Sequence, residues 1–75
     1  MEKYLVVIPT YNEIENIRAI IEAALSRGPL FQVLIVDDNS PDGTADEVKK
    51  MMNEYMGRVH LLQRSGKLGL GTAYI

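Results

Sequence analysis

Two short apolar runs rich in β-branched residues limit the folds open to this chain more than any other feature. They span Tyr4–Ile8 and Gln32–Val36. Short apolar runs that do not alternate with polar residues are typical of strands covered on both faces, as in a parallel sheet. A third run, Arg58–Arg64, is more polar and places Val59 and Leu61 on one face, as expected near a sheet edge. We therefore predict three strands of one parallel sheet.

Helical periodicity fills the two intervals between these strands. The first interval opens with a capping-box pattern, Thr10–Glu13, and its periodic apolar residues stop at Gly28–Pro29. The second opens with another such pattern, Thr44–Glu47, and closes at Gly57. The sequence therefore predicts one helix after each of the first two strands.

The resulting βαβαβ order predicts an α/β fold. Right-handed crossovers place the three parallel strands in the spatial order 3-2-1, which is half of a doubly wound, Rossmann-like sheet. The loops after the strands, residues 9–13, 37–43 and 64–71, then lie at the same carboxyl edge of the sheet. We expect these loops to form one crevice.

Length and charge exclude several classes of function. With 75 residues the chain holds one domain at most, so residues 1–75 are treated as one unit. A net charge of −2 argues against binding nucleic acid by counterion release. Because the chain has no cysteine and a single histidine, His60, thiolate and histidine-rich metal sites are excluded.

The apolar run at the start of the chain is too short for a membrane span or a signal peptide. Pro9 interrupts the run after Tyr4–Ile8, and a membrane span or a signal-peptide core needs a longer run. We therefore expect a cytoplasmic protein.

The first loop, Pro9–Glu13, lacks the glycines of a dinucleotide fingerprint, which argues against a dehydrogenase. Tyr11 could stack on a nucleobase, and Glu13 could accept a hydrogen bond from a ribose hydroxyl. A plain capping box with a surface tyrosine explains the same residues. Both interpretations stay open at this point.

The other two loops carry acids and a glycine-rich basic segment. Asp37 and Asp38 could accept hydrogen bonds from a base or a ribose, although a turn or capping role is the alternative. In Arg64–Gly71, Lys67 stands among glycines in a setting that suits phosphate oxygens, but the order does not match a Walker motif. We interpret Arg64 itself as a solvated strand end.

Together, the motifs at residues 7–13, 33–44 and 64–74 resemble those of family 2 glycosyltransferases. Within that family they look most like the dolichyl-phosphate, or polyprenyl-phosphate, mannose synthases. The resemblance covers nearly the whole chain, with three motifs in the right order. It implies that the chain is the N-terminal nucleotide-binding half of a GT-A fold.

The resemblance also implies a chemistry and a set of site residues. The implied donor is GDP-mannose, the acceptor is a polyprenyl phosphate at the cytoplasmic face of a membrane, and the cofactor is a divalent metal, Mg²⁺ or Mn²⁺. The residues that carry over to the nucleotide-sugar pocket are Pro9, Tyr11, Glu13, Asp37, Asp38, Lys67 and Gly69. By resemblance, the first three line the nucleoside pocket, the two acids contact the base or ribose, and the last two lie near the diphosphate.

In that family the metal is held by an Asp-x-Asp segment after the next strand, which this sequence does not contain. We therefore expect no catalytic and no metal-ligating residue in this chain, and no turnover by the chain alone. The open edge of strand one also predicts a homo-oligomer formed through uncovered apolar surface.

Two other classes of function remain as alternatives. The strand end Val33–Asp38 also resembles that of response-regulator receivers. Those proteins carry a phosphoacceptor aspartate on a later strand, whereas this sequence has no aspartate after Asp46. The second alternative is a non-catalytic nucleotide-binding or self-associating α/β module.

Overall fold

The computed structural model describes residues 3–64, which form three strands and two helices in alternation. The elements are β1 (Tyr4–Thr10), α1 (Ile17–Leu25), β2 (Phe31–Asp37), α2 (Thr44–Glu54) and β3 (Val59–Gln63). The predicted α/β class and the βαβαβ order are confirmed.

The three strands form one parallel sheet in the order β1-β2-β3. This is the predicted order, read from the opposite edge. The register pairs Thr10 with Asp37, and Asp37 with Gln63. The last residues of all three strands are therefore side by side at the carboxyl edge of the sheet.

Both helices pack on the same face of this sheet, because both crossovers run in the same direction across it. The strands contribute alternate residues to the core, and each helix contributes one apolar stripe. The fully or almost fully buried residues of this core are Ile17, Ile21, Leu25, Val33, Ile35, Val48, Met51 and Val59. Leu61 packs against this cluster on the same face as Val59, as the sequence predicted.

The opposite face of the sheet, called the open face below, carries Leu5, Val7, Leu34, Val36 and Leu62. Leu5, Val7 and Leu62 are 54%, 55% and 51% exposed. Within residues 3–64 no helix packs on this face, so the expectation that the first strand is covered on both sides is wrong for this part of the chain. In the same range β1 pairs with β2 alone, which leaves β1 at an edge as predicted.

The two capping-box predictions are wrong. α1 begins at Ile17 after Asn16, with no side-chain cap, and Thr10 is the last residue of β1. α2 begins at Thr44 after Gly43, which is left-handed at φ 92°. The capping patterns failed because the two threonine hydroxyls bond to aspartates, Thr10 across the sheet and Thr44 within its own loop.

The helices of residues 3–64 are too short to span a bilayer, and none is a candidate membrane span.

Candidate functional site

The loops after β1 and β2 meet at the carboxyl edge of the sheet. The Thr10 hydroxyl donates to Asp37 Oδ1 at 2.8 Å, and the Asp38 backbone N–H donates to the Thr10 carbonyl at 3.0 Å. The Arg64 N–H donates to the Asp37 carbonyl at 2.8 Å, which brings the end of β3 to the same place. The first two loops and the end of β3 therefore meet at one edge of the sheet, as expected.

Asp37 is fully buried at the centre of this edge. Its Oδ1 accepts the hydroxyls of Thr10 and Ser40, at 2.8 and 2.7 Å, and its Oδ2 accepts the Ser40 N–H at 2.9 Å. A buried carboxylate needs such donors to offset the loss of its hydration. The structure thus gives Asp37 the turn-forming role, and its predicted contact to a base or ribose stays a prediction.

Asp38 lies beside Arg64 at the same carboxyl edge of the sheet. The Arg64 Nε lies 3.5 Å from Asp38 Oδ1, and the side chains of Arg64 and Asp38 are 11% and 36% exposed. Among residues 3–64, Asp38 Oδ1 accepts no hydrogen bond. The interpretation of Arg64 as a solvated strand end is wrong, because the carboxyl end of β3 places its side chain against Asp38.

The first loop, which begins at the Thr10–Asp37 bond, carries the other predicted residues. Tyr11 is 56% exposed. Asn12 is left-handed at φ 57°, a conformation that asparagine tolerates better than most residues. Pro9 is exposed and Glu13 is half-buried. The exposed ring of Tyr11 and the carboxylate of Glu13 therefore follow Thr10, which bonds to Asp37, closely in the chain.

Lys67 and Gly69, the residues predicted to lie near a diphosphate, fall outside the described residues. Their predicted role stays a prediction.

The sequence reasoning missed the contribution of Ser40, Asp42 and Thr44, whose side chains bond to the first loop. Burial alone would raise the pKa of Asp42, but hydrogen bonds from the Thr44 hydroxyl and from the backbone of Ile14 and Thr44 outweigh it, so this pKa is lowered. The available signal was the alternation of a hydroxyl, an acid and a hydroxyl at positions 40, 42 and 44.

The described residues of the site do not fit a divalent cation. Within residues 3–64 no group of three acidic or histidine side chains is placed to hold a metal ion. Both oxygens of Asp37 already accept protein donors, and Asp38 faces a guanidinium group.

Two known proteins are similar to this chain over nearly its whole length. The chain is 42% identical over 74 residues to the polyprenol monophosphomannose synthase of Mycolicibacterium smegmatis, covering 99% of this chain and 28% of that protein. It is 45% identical over 73 residues to the undecaprenyl-phosphate mannosyltransferase of Micrococcus luteus, covering 97% of this chain and 30% of that protein. The chain thus spans less than a third of the length of these relatives.

No solved structure gives a significant match to the chain. The sequence profile that matches is that of Glycosyl transferase family 2, and the match extends over residues 5–75. Since this match spans nearly the whole chain, the chain belongs to glycosyl transferase family 2.

Proposed function

We propose that residues 1–75 are the N-terminal part of the nucleotide-sugar-binding domain of a mannosyltransferase. The complete enzyme would transfer mannose from GDP-mannose to a polyprenyl phosphate at the cytoplasmic face of a membrane. The names of the two relatives support mannosyl transfer to a polyprenyl phosphate. GDP as the nucleotide comes from the resemblance of the motifs.

The observation that carries this proposal is the junction of the first two loops at the carboxyl edge. The Thr10–Asp37 bond holds the loops together, and Tyr11 beside it exposes 56% of its surface. In open α/β sheets, ligands bind outside the carboxyl ends of the strands. We therefore assign the nucleoside to the surface formed by Pro9, Tyr11, Glu13 and Asp38.

The proposed roles follow from the chemistry of each group. The Tyr11 ring offers a flat apolar face on which a base can stack. Carboxylates such as those of Glu13 and Asp38 accept hydrogen bonds from ribose hydroxyls or from a base N–H. Lys67 and the backbone at Gly69 are proposed to meet the diphosphate, whose negative charge a lysine can offset.

The transfer itself needs positive charge where the diphosphate leaves. In the complete enzyme a divalent cation, Mg²⁺ or Mn²⁺, would supply it, held by residues beyond those of this chain. The polyprenyl phosphate acceptor is already anionic near neutral pH, so it demands less of a general base than an alcohol would. We propose that the 75-residue chain binds nucleotide without turnover.

A titration of the ¹⁵N-labelled chain with GDP, and separately with UDP, tests the nucleotide assignment. We expect GDP to shift the amide signals of Tyr11, Glu13 and Asp38. Tyr11→Ala should weaken binding by about 1–3 kcal/mol, the range for stacking of a base on an aromatic ring. Tyr11→Phe is the matched control, because it keeps the ring and should bind like the wild type.

If neither GDP nor UDP moves any amide signal, the nucleotide-binding proposal is wrong. The alternative, a self-associating α/β module, would then be favoured by the apolar open face. Formation of mannosylated product by the 75-residue chain, followed with radiolabelled GDP-mannose, would contradict the proposed lack of turnover.

We also propose that the chain forms a homo-oligomer. Leu5 and Val7, on an edge strand of the open face, are more than half exposed. Contiguous apolar surface on an unpaired strand edge favours pairing with another chain.

A further inference from the structure

Three successive backbone N–H groups of the first loop donate to side chains of the second loop. The Asn12 N–H donates to Ser40 Oγ at 2.9 Å, and the Glu13 N–H donates to Thr44 Oγ1 at 3.0 Å. The Ile14 N–H donates to Asp42 Oδ2 at 3.1 Å. The bond of the Glu13 N–H is half-buried and the other two are exposed, and all three donors find their partners outside their own segment. The second loop therefore determines the backbone path of the first.

The direction of these bonds is set by the acids. The Ser40 hydroxyl donates its proton to Asp37 Oδ1, and the Thr44 hydroxyl donates its proton to Asp42 Oδ1. A hydroxyl has one proton, so an oxygen that donates to a carboxylate can only accept from a third group. Each hydroxyl thus becomes an obligatory acceptor for a first-loop N–H.

Asp42 takes part in two branches of this arrangement. Its Oδ2 accepts the Ile14 N–H, while its Oδ1 accepts both the N–H and the hydroxyl of Thr44. Thr44 is fully buried, so its hydroxyl has no water to replace these partners. Asp42 therefore supplies one of the three acceptors that hold the first loop and orients a second, the Thr44 hydroxyl.

We infer that Asp42, acting with Thr44, is a positioning residue that fixes the backbone between Asn12 and Ile14 and so directs Tyr11 and Glu13 toward the nucleotide. In this proposal Asp42 and Thr44 act through the backbone of the first loop and not through contact with the nucleotide. The inference rests on the proposed function, because Tyr11 and Glu13 are the nucleotide-binding groups assigned above.

Asp42→Asn tests the inference with little change of shape. An asparagine amide has one carbonyl oxygen, and turning it toward Thr44 keeps two of the three hydrogen bonds, so the Ile14 N–H loses its acceptor. We expect hydrogen exchange at the Ile14 amide to accelerate about tenfold or more, with the core amides of Val33 and Ile35 unchanged. GDP should bind about tenfold more weakly in the NMR titration.

Three further variants separate positioning from general damage. Asp46→Asn removes the same charge from an exposed site in the first turn of α2 and should leave exchange and GDP affinity unchanged. Thr44→Val removes the hydroxyl at constant shape, so it should accelerate exchange at the Glu13 amide and weaken GDP binding. Thr44→Ser keeps the hydroxyl and should retain both properties.

Hydrogen exchange is measured without nucleotide, so it tests the loop arrangement independently of the proposed function. If the wild-type chain binds no GDP, the proposed function fails, whereas protected amides at residues 12–14 that are lost in Asp42→Asn would still support the arrangement of the loops. The positioning inference is overturned if Asp42→Asn and Thr44→Val leave the exchange of residues 12–14 unchanged. It is equally overturned if exchange accelerates while GDP affinity stays at the wild-type value. If Asp42→Asn does not fold, the inference is tested by comparing hydrogen exchange at residues 12–14 and GDP affinity between Thr44→Val and Thr44→Ser.

Discussion

At the scale of single residues, the most consequential group is the carboxylate of Asp37. It has no exposed surface and accepts donors from β1 and from its own loop. Leaving a buried carboxylate without one of its donors costs more than a neutral hydrogen bond contributes, because the charge cannot recover its hydration. Thr10 therefore has a structural value that its position at a strand end does not suggest.

Thr10→Val should lower the free energy of unfolding by about 1.5–3 kcal/mol, the range for a hydrogen bond to a charged group. Valine preserves the β-branched shape in the strand but cannot donate to Asp37 Oδ1. Thr10→Ser keeps the hydroxyl and should lose less than about 1 kcal/mol. Urea denaturation followed by circular dichroism measures both, and equal losses in the two variants would show that the hydroxyl is unimportant.

The sequence identified Asp37 and Tyr11 as notable residues but assigned Thr10 and Thr44 to the wrong partners. A hydroxyl followed three residues later by glutamate fits a local capping box, and nothing local distinguishes it from a longer-range bond. Thr10 bonds to a residue 27 positions away, and the Glu13 N–H to one 31 positions away. Such contacts depend on strand register, which becomes known once the sheet is built.

At the scale of secondary-structure elements, periodicity predicted the order and type of all five but not their ends. β1 and β2 extend past the predicted apolar runs to Thr10 and Asp37. The parallel register pairs these two residues, so the ladder continues after the apolar residues stop. α1 starts at Ile17 because the preceding residues turn toward the second loop.

The end of α1 depends on an arginine from the other end of the described chain. Arg58 donates from Nε to the Phe31 carbonyl at 3.1 Å and from Nη2 to the Leu25 and Gly28 carbonyls at 3.0 and 2.6 Å. The last carbonyls of a helix lack intrahelical partners, and a cation there is favoured by the helix dipole. Arg58 therefore joins the carboxyl end of α1 to the start of β2 and β3.

Arg58→Met should lower the free energy of unfolding by about 1–3 kcal/mol, because methionine fills much of the space but donates to none of these carbonyls. Arg58→Lys keeps the charge near the end of α1 and loses the forked geometry, so a smaller loss is expected. Chemical denaturation compares the two variants. A methionine variant as stable as the wild type would mean that solvent satisfies these carbonyls equally well.

At the scale of the whole molecule, the two faces of the sheet differ in kind. Packing of α1 and α2 on one face buries a continuous core, whereas the open face carries apolar side chains that the described helices leave uncovered. The sequence predicted strands covered on both sides because Tyr4–Ile8 does not alternate between apolar and polar residues. That pattern is now explained by a second apolar face, which favours contact with another apolar surface.

Val7→Lys tests whether the open face is where copies of the chain associate. Val7 is 55% exposed, so the folded monomer can accommodate a lysine pointing into solvent, and circular dichroism should show unchanged secondary structure. In an oligomer formed through this face the same ammonium group would lose its hydration, so we expect association to weaken by at least about tenfold.

Ala19→Lys, on an exposed position of α1, makes the same change of charge away from the open face and should associate like the wild type. Sedimentation velocity over a range of concentrations measures all three chains. A wild-type chain that stays monomeric at the highest concentration would contradict the proposed oligomer, and equal dissociation by both lysine variants would place the contact elsewhere.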